Sequence, residues 1–127
     1  MSAPIASFRE LRVYREAFRL QQAIFDLSRS FPAEERYSLT DQVRRASRSV
    51  GANLAEAWQK RRYEAHFVSK LTDADGELAE TQHWLHTAKA CGYLDAERHA
   101  ELLAASEEVG KMLGRIMAEP AKWTLKL

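Results

Sequence analysis

Apolar residues and one threonine in the middle of the chain recur at alternating steps of four and three, and this spacing limits the possible folds more than any other feature. Between positions 67 and 88 the series is Phe67, Leu71, Ala74, Leu78, Thr81, Leu85 and Ala88. In an α-helix these steps place all of the side chains along one face, whereas a half-buried β-strand would need strict alternation. The spacing therefore predicts a long amphipathic helix that packs against other helices.

Turn signals divide the chain into four such segments. We place the helices at about 8–30, 39–60, 64–90 and 95–118, followed by a tail at 119–127. Pro32 interrupts the first segment, and Gly92 and Asp95 are typical of a helix end and a helix start. Leu102, Val109, Leu113 and Ile116 continue the four-and-three spacing in the last segment. Long helices with short connections pack as antiparallel neighbours, so we predict one all-α domain, an up-down-up-down four-helix bundle.

The composition agrees with a small globular domain. The 127 residues are 46% hydrophobic and 29% charged, and the formal net charge is +1. A single cysteine, Cys91, can form no internal disulfide, which favours a reducing compartment. The first ten residues lack the features of a signal peptide, and no apolar run approaches the ~20 residues of a membrane span. We therefore expect a cytoplasmic protein without a membrane partner.

The first helix carries more apolar surface than one bundle needs. One seam consists of Val13, Ala17, Leu20, Ile24, Leu27 and Phe31, and a second consists of Leu11, Tyr14, Phe18 and Phe25. At about 100° per residue the two seams cover roughly half of the helix circumference. A second copy of the chain would cover the excess, so the second seam is a candidate oligomer interface. The alternative is that this helix lies deep in its own bundle.

The second helix combines a core stripe with a strip of small residues. The stripe consists of Val43, Val50, Leu54, Ala57 and Trp58. Ser47, Gly51 and Ala55 step by four along one flank, where another helix backbone could approach closely. Gly51 costs the helix roughly 1 kcal/mol relative to Ala, and a packing contact would explain that cost. We add these three residues to the candidate oligomer interface; a local bend at Gly51 is the alternative.

Basic residues are concentrated on the same helix. From Arg36 to Arg62 there are seven basic and two acidic residues, a net of +5, and from Glu64 to Gly92 two basic and five acidic residues, a net of −3. The candidate nucleic-acid contacts are Arg44, Arg45, Arg48, Lys60, Arg61 and Arg62. The charges could contact phosphates, could dock the second helix on the third within or between chains, or could be a solvated face. For Arg45 an ordinary ion pair with Asp41 is favoured, because the two residues are four apart.

No constellation in the sequence is typical of an enzyme. There is no glycine-rich phosphate loop and no recognisable nucleophile turn. Glu80 and His83 have half of the spacing of a bundle di-iron site, but the second Glu-x-x-His is missing and both residues lie off the core seam. We expect no catalytic residues, no metal and no cofactor. The tail carries Trp123, Leu125 and Leu127, which could dock on the bundle or on a neighbouring chain, or be disordered.

Several motifs over about 8–117 resemble one bacterial family. They are Phe8, Leu11, Val13 and Tyr14; Phe31 to Leu39; Gln42 to Glu56; Gly76, Leu78 and Glu80; and Gly92 to Leu94. This pattern is similar to the four-helix-bundle proteins encoded in intervening sequences of 23S rRNA genes, often labelled "S23 ribosomal protein". The Gln42 to Glu56 motif is the most specific of these matches.

The resemblance implies a ring-like homopentamer that is not an enzyme and has no settled biochemical function. A diverged relative is the accessory protein of diversity-generating retroelements, which partners a reverse transcriptase and binds nucleic acid through a basic surface. We therefore expect a homo-oligomeric nucleic-acid-binding or ribonucleoprotein accessory module. Its expected partners are further copies of itself, RNA or DNA, and an acidic or nucleic-acid-bound protein. The alternative is a protein–protein scaffold that binds no nucleic acid.

Overall fold

The computed structural model describes residues 4–125 and contains four long helices over that range. They are α1 (Arg12–Ser28), α2 (Leu39–Gln59), α3 (Glu64–Ala90) and α4 (Ala96–Ala118). Short 3-10 turns at Phe8–Glu10, Ala33–Glu35 and Pro120–Lys122 lie outside these helices, and no strand occurs between residues 4 and 125. The predicted all-α fold with four helices is therefore confirmed.

Neighbouring helices run antiparallel around the bundle. α1 and α3 each pack against both α2 and α4. Arg44, near the start of α2, reaches Ser28 at the end of α1. Thr72, near the start of α3, contacts Met117 at the end of α4. This arrangement is the up-down-up-down order that short connections predict.

The largest difference from the predicted boundaries lies at the first helix. Residues 8–10 form a separate 3-10 turn, because Ser7 and Glu10 close a capping box around it. Leu11 then adopts an extended conformation before α1 begins at Arg12. The other boundaries agree within about two residues, and Asp95 caps α4 by accepting a hydrogen bond from the backbone N–H of Arg98 at 2.7 Å. Gly92 has φ +79°, the left-handed conformation predicted for that helix end.

The predicted seams form the core. Every member of the α3 seam from Phe67 to Ala88 is buried, as are all four predicted residues of α4 and the stripe of α2. The sequence analysis did not assign His99 to the core. His99 is buried on α4, with its ring centroid 6.3 Å from that of His86, and burial lowers its pKa.

The small-residue strip of α2 packs against α1 of the same chain. Ser47 and Gly51 are buried, and Ala55 is half-buried. A methyl group added at Gly51 would lie 3.4 Å from the ring of Tyr14 and 3.6 Å from the Gln21 amide oxygen. The strip therefore brings α1 and α2 close together, which corrects the placement of Ser47 and Gly51 on a surface between chains.

The second seam of α1 is also largely covered within the chain. Leu11 is buried, and Tyr14 and Phe25 are half-buried. Tyr14 lies between Phe8 and Phe18, with ring centroids 4.9 Å and 6.1 Å away. Phe18 remains 44% exposed in the middle of the helix. Of the four residues of the second seam, Phe18 is thus the one with a large exposed surface.

The tail docks on its own bundle as far as Leu125. Trp123 packs against the core beside Leu11, Met112 and Ile116. The backbone N–H of Leu125 donates to the Arg61 carbonyl at 3.0 Å. The prediction for Leu127 lies outside the described residues. Within the described part of the chain, no helix is both long and apolar enough to cross a membrane.

Candidate nucleic-acid interface

The six predicted basic residues form two groups at opposite ends of α2. Arg44, Arg45 and Arg48 lie in its first half, whereas Lys60, Arg61 and Arg62 follow its last turn. With a rise of about 1.5 Å per residue, Arg44 and Lys60 are separated by roughly 24 Å along the helix. The groups are therefore separate surfaces, each of which would meet a different part of an extended ligand.

The ring of Phe25 in α1 contacts two arginines of the first group, and also Arg29. The guanidinium carbons of Arg44, Arg48 and Arg29 lie 4.8, 5.4 and 5.5 Å from the centre of its ring. Each distance is within the range of a cation–π contact. The Arg44 Nε also donates to the Ser28 hydroxyl at 2.8 Å, which fixes the guanidinium against the end of α1. We call Phe25, Arg29, Arg44 and Arg48 the Phe25 cluster.

The Phe25 cluster lacks a carboxylate partner. Among residues 4–125, none of its three arginines forms a salt bridge. Three like charges around one ring repel each other, and an anion bound between them would relieve that repulsion. Arg29 was missed in the sequence analysis because it lies in α1 rather than in the +5 segment. Its four-residue separation from Phe25 is the signal that could have identified it.

Arg45 does not belong to this cluster. Its Nε lies 3.0 Å from an Asp41 carboxylate oxygen, with both side chains at the surface. The predicted ion pair is therefore confirmed. Such an exposed pair contributes a few tenths of a kcal/mol and neutralises most of the local charge. Arg45 is the weakest of the six candidates.

The second group combines one anchored and two free side chains. The Arg61 guanidinium lies 3.4 Å from the centre of the Trp58 ring, and its Nε donates to the Trp58 carbonyl at 2.7 Å. Burial lowers the pKa of Arg61, although a guanidinium remains charged at neutral pH. Lys60 and Arg62 are exposed beside it. Arg61 thus holds the turn in place, whereas Lys60 and Arg62 are free to reach a ligand.

An exposed tyrosine accompanies each group, and the sequence analysis assigned neither to the site. Tyr37 precedes α2 and is 85% exposed, and Tyr63 follows the helix and is 57% exposed. The Arg36 guanidinium lies 5.9 Å from the centre of the Tyr37 ring. Exposed aromatic rings next to cations are the pattern on which single-stranded nucleic acids stack their bases.

The contact between α2 and α3 does not use the predicted charge complementarity. The ion pair between these helices has its cation on α3 and its anion on α2: Lys70 Nζ lies 2.8 Å from a Glu56 carboxylate oxygen. This contact raises the pKa of Lys70 and lowers that of Glu56. The free arginines of α2 therefore have a different role from docking on α3 in the same chain.

The residues considered for metal chemistry lie apart from both groups. Glu80 and His83 are exposed on α3 and contact Trp84. Within residues 4–125 no three His, Cys, Asp or Glu side chains come together as a set of metal ligands. The structure thus brings together Arg44 and Arg48 of the predicted cations, adds Arg29, and keeps Lys60–Arg62 as a second group.

Comparison with known proteins places the chain in a family. The model of the 23S rRNA-intervening sequence protein family matches residues 9–115. A solved structure of a protein with unknown function from the S23 ribosomal protein family of Bacteroides thetaiotaomicron is 27% identical and has a TM-score of 0.75. The similarity covers 83% of this chain and 97% of that one. No curated protein matches the chain. Because the family model spans most of the sequence, the chain belongs to the 23S rRNA-intervening sequence protein family.

Proposed function

We propose that this protein is a cytoplasmic, homo-oligomeric bundle that binds the backbone of RNA or DNA and acts by binding rather than by catalysis. The observation that carries the proposal is the Phe25 cluster, in which three arginines share one ring and have no acidic partner among residues 4–125. Lys60 and Arg62 extend the contact at the other end of α2, and Tyr37 and Tyr63 offer surfaces for base stacking.

Assembly into an oligomer would make this small basic surface sufficient for binding a nucleic acid. The formal net charge of one chain is only +1, so a monomer would be held weakly by long-range attraction. A ring of five copies would repeat the two basic groups around its axis. Linked sites bind with an avidity that exceeds the affinity of any single site by a factor of about 10² or more when the geometry permits simultaneous contact.

The test compares two double charge reversals in the full-length chain. Arg48→Glu with Arg62→Glu removes exposed cations from both groups, whereas Arg98→Glu with Lys111→Glu makes the same charge change on α4. RNA and DNA affinities are measured over a salt series. We expect the wild type and the α4 control to bind, and the α2 variant to bind weakly with a shallower salt dependence, because each lost phosphate contact removes about 0.7–0.9 from the log–log slope.

Light scattering on the same variants separates this function from a protein–protein scaffold. Asp73, Glu77 and Glu80 lie together on one side of α3 and form an acidic surface that the arginines of another copy could bind. In that case the α2 reversal would dissociate the oligomer, and the wild type would show no nucleic-acid affinity even at low salt. That pair of results would replace the proposed function by the scaffold.

A further inference from the structure

A cationic pocket lies beside the Phe25 cluster, where α1 ends and α2 begins. Its volume is about 430 Å³, within the range of small-molecule sites. Arg29, Arg36 and Arg44 line it from three successive elements: the end of α1, the connection and α2. Its lining contains no carboxylate from the described part of the chain. The pocket is therefore built to receive an anion.

Thr40 lies in the wall of the pocket, and its hydroxyl group is buried there without a hydrogen-bond partner among the described residues. The residue as a whole is only 7% exposed. Three other threonines, Thr72, Thr81 and Thr87, donate to the carbonyl four residues earlier. Thr40 stands in the first turn of α2, where no preceding helical turn offers such a carbonyl. A buried hydroxyl without a partner costs free energy. A rotation of the Thr40 side chain on binding would turn the hydroxyl into the pocket, where a bound oxygen atom would recover that cost.

Three further features orient a ligand in this pocket. Arg44 is held by Ser28 and Phe25, so its guanidinium needs little ordering on binding. The first turn of α2 also carries the positive end of the helix dipole, which favours a negative group beside Thr40. Arg36 is exposed and touches the ring of Tyr37, so it can close over a ligand from the rim.

We propose that this pocket binds a phosphate monoester, and specifically the terminal phosphate of a nucleic-acid strand; the choice of a strand end as the source rests on the proposed function. A monoester carries nearly two charges and three acceptor oxygens, which suits three guanidinium groups better than the single charge of an internal diester. The pocket is larger than a phosphate alone and can admit the attached sugar. Tyr37, whose ring lies beside the lining residue Arg36, then offers a surface to the terminal base.

The first experiment compares oligonucleotides of one sequence that carry a 5′-phosphate, a 3′-phosphate or only hydroxyl ends. We expect one phosphorylated form to bind on the order of tenfold more tightly than the hydroxyl form. Arg36→Gln should remove this preference, while Arg98→Gln, a substitution on α4, should retain it. Equal affinity for all three oligonucleotides would overturn the proposal and leave the proposed function intact.

A conservative substitution distinguishes ligand binding from a structural role of the hydroxyl. Thr40→Val keeps the shape of the side chain and removes an unsatisfied polar atom, so it should leave the unfolding temperature unchanged or raise it. It should nevertheless weaken the preference for the phosphorylated end. If the Thr40→Val protein kept the full preference for the phosphorylated oligonucleotide, the hydroxyl would contact no ligand. The role assigned to Thr40 in the site would then be wrong.

A second arm tests the pocket without a nucleic-acid strand. Nucleoside monophosphates and inorganic phosphate are titrated at constant ionic strength, and the unfolding temperature is followed. If no oligonucleotide binds but a monophosphate stabilises the wild type and not Arg36→Gln, the proposed function fails while the phosphate site stands, with a free nucleotide as its source. If none of these ligands has an effect, the phosphate site is wrong.

Discussion

At the scale of single residues, Tyr93 and Glu35 link two connections at the same end of the bundle. The Tyr93 hydroxyl donates to a Glu35 carboxylate oxygen at 3.0 Å, and the Ser38 hydroxyl donates to the other oxygen at 2.6 Å. The hydrogen bond with Glu35 and partial burial raise the pKa of Tyr93 to about 12. The hydrogen bonds from Ser38 and Tyr93 lower the pKa of Glu35. The bond therefore requires a protonated phenol and an ionised carboxyl group.

Tyr93→Phe should consequently destabilise the protein in a pH-dependent way. The raised pKa of Tyr93 means that its contribution is complete below about pH 10, the ordinary value, and is lost as the pH rises towards 12. The lowered pKa of Glu35 means that its contribution is complete above about pH 4.3 and is lost as the pH falls below that value. Urea midpoints of the wild type and Tyr93→Phe should differ most between pH 5 and 9 and converge at both extremes. Tyr37→Phe is the control, since Tyr37 is exposed, and a difference independent of pH would contradict the assignment.

At the scale of elements, the contact between α1 and α2 leaves room for only a small side chain at position 51. A single methyl group there would meet Tyr14 at 3.4 Å, an ordinary van der Waals distance. Gly51→Ala should thus be tolerated and could recover up to about 1 kcal/mol of helix propensity. Gly51→Leu would force Tyr14 and Gln21 away, and we expect a loss of about 1–3 kcal/mol in the free energy of unfolding.

Gly76 provides a matched control for this prediction. It lies inside α3, is exposed, and a methyl group there would meet nothing within 4 Å. Gly76→Ala and Gly76→Leu should therefore both stabilise the helix slightly, because only propensity changes. The four variants are compared by urea denaturation. If Gly51→Leu proves no more destabilising than Gly76→Leu, then close packing of α1 on α2 does not limit the size of the side chain at position 51.

Sequence patterns predicted correctly which residues are buried where burial depends only on the spacing within a single helix. The α3 seam is buried at every position because its four-and-three spacing keeps one face towards the core, whatever the partner is. The neighbour of Ser47 and Gly51 could not be predicted in the same way, because a small-residue strip does not specify whether the approaching helix belongs to the same chain. The burial of His99 was missed because a polar residue gives no sign of its own burial.

The candidate site was predicted only in part, for a similar physical reason. The concentration of arginines on α2 is visible in the sequence. The contacts of Arg44 and Arg48 with Phe25 require the rotation of α2 against α1, and the pocket at Thr40 requires the path of the connection between them. The reversed ion pair of Lys70 and Glu56 likewise depends on which side chains meet across the helices, not on the net charge of each segment.

At the scale of the whole molecule, Phe18 is the clearest candidate contact between copies. It stands at the middle of α1 with 44% of its surface exposed, and Arg15, Arg19 and Gln22 surround it. An apolar group within a polar rim is typical of a protein–protein contact. In the predicted homopentamer this surface would lie between neighbouring chains. A charge at position 18 should therefore prevent assembly and leave the fold of each chain unchanged.

Phe18→Glu should therefore dissociate the oligomer while each chain remains folded. Light scattering should give about five times 14.5 kDa for the wild type and a single chain for the variant, with unchanged helical circular dichroism. Tyr37→Glu, which places the same charge at an exposed aromatic position outside α1, should retain the wild-type mass. Because the monomer presents one copy of each basic group, its affinity for long RNA should also fall by about 10²-fold or more. A wild-type protein that is monomeric, or a Phe18→Glu protein of unchanged mass, would contradict this assignment of the interface.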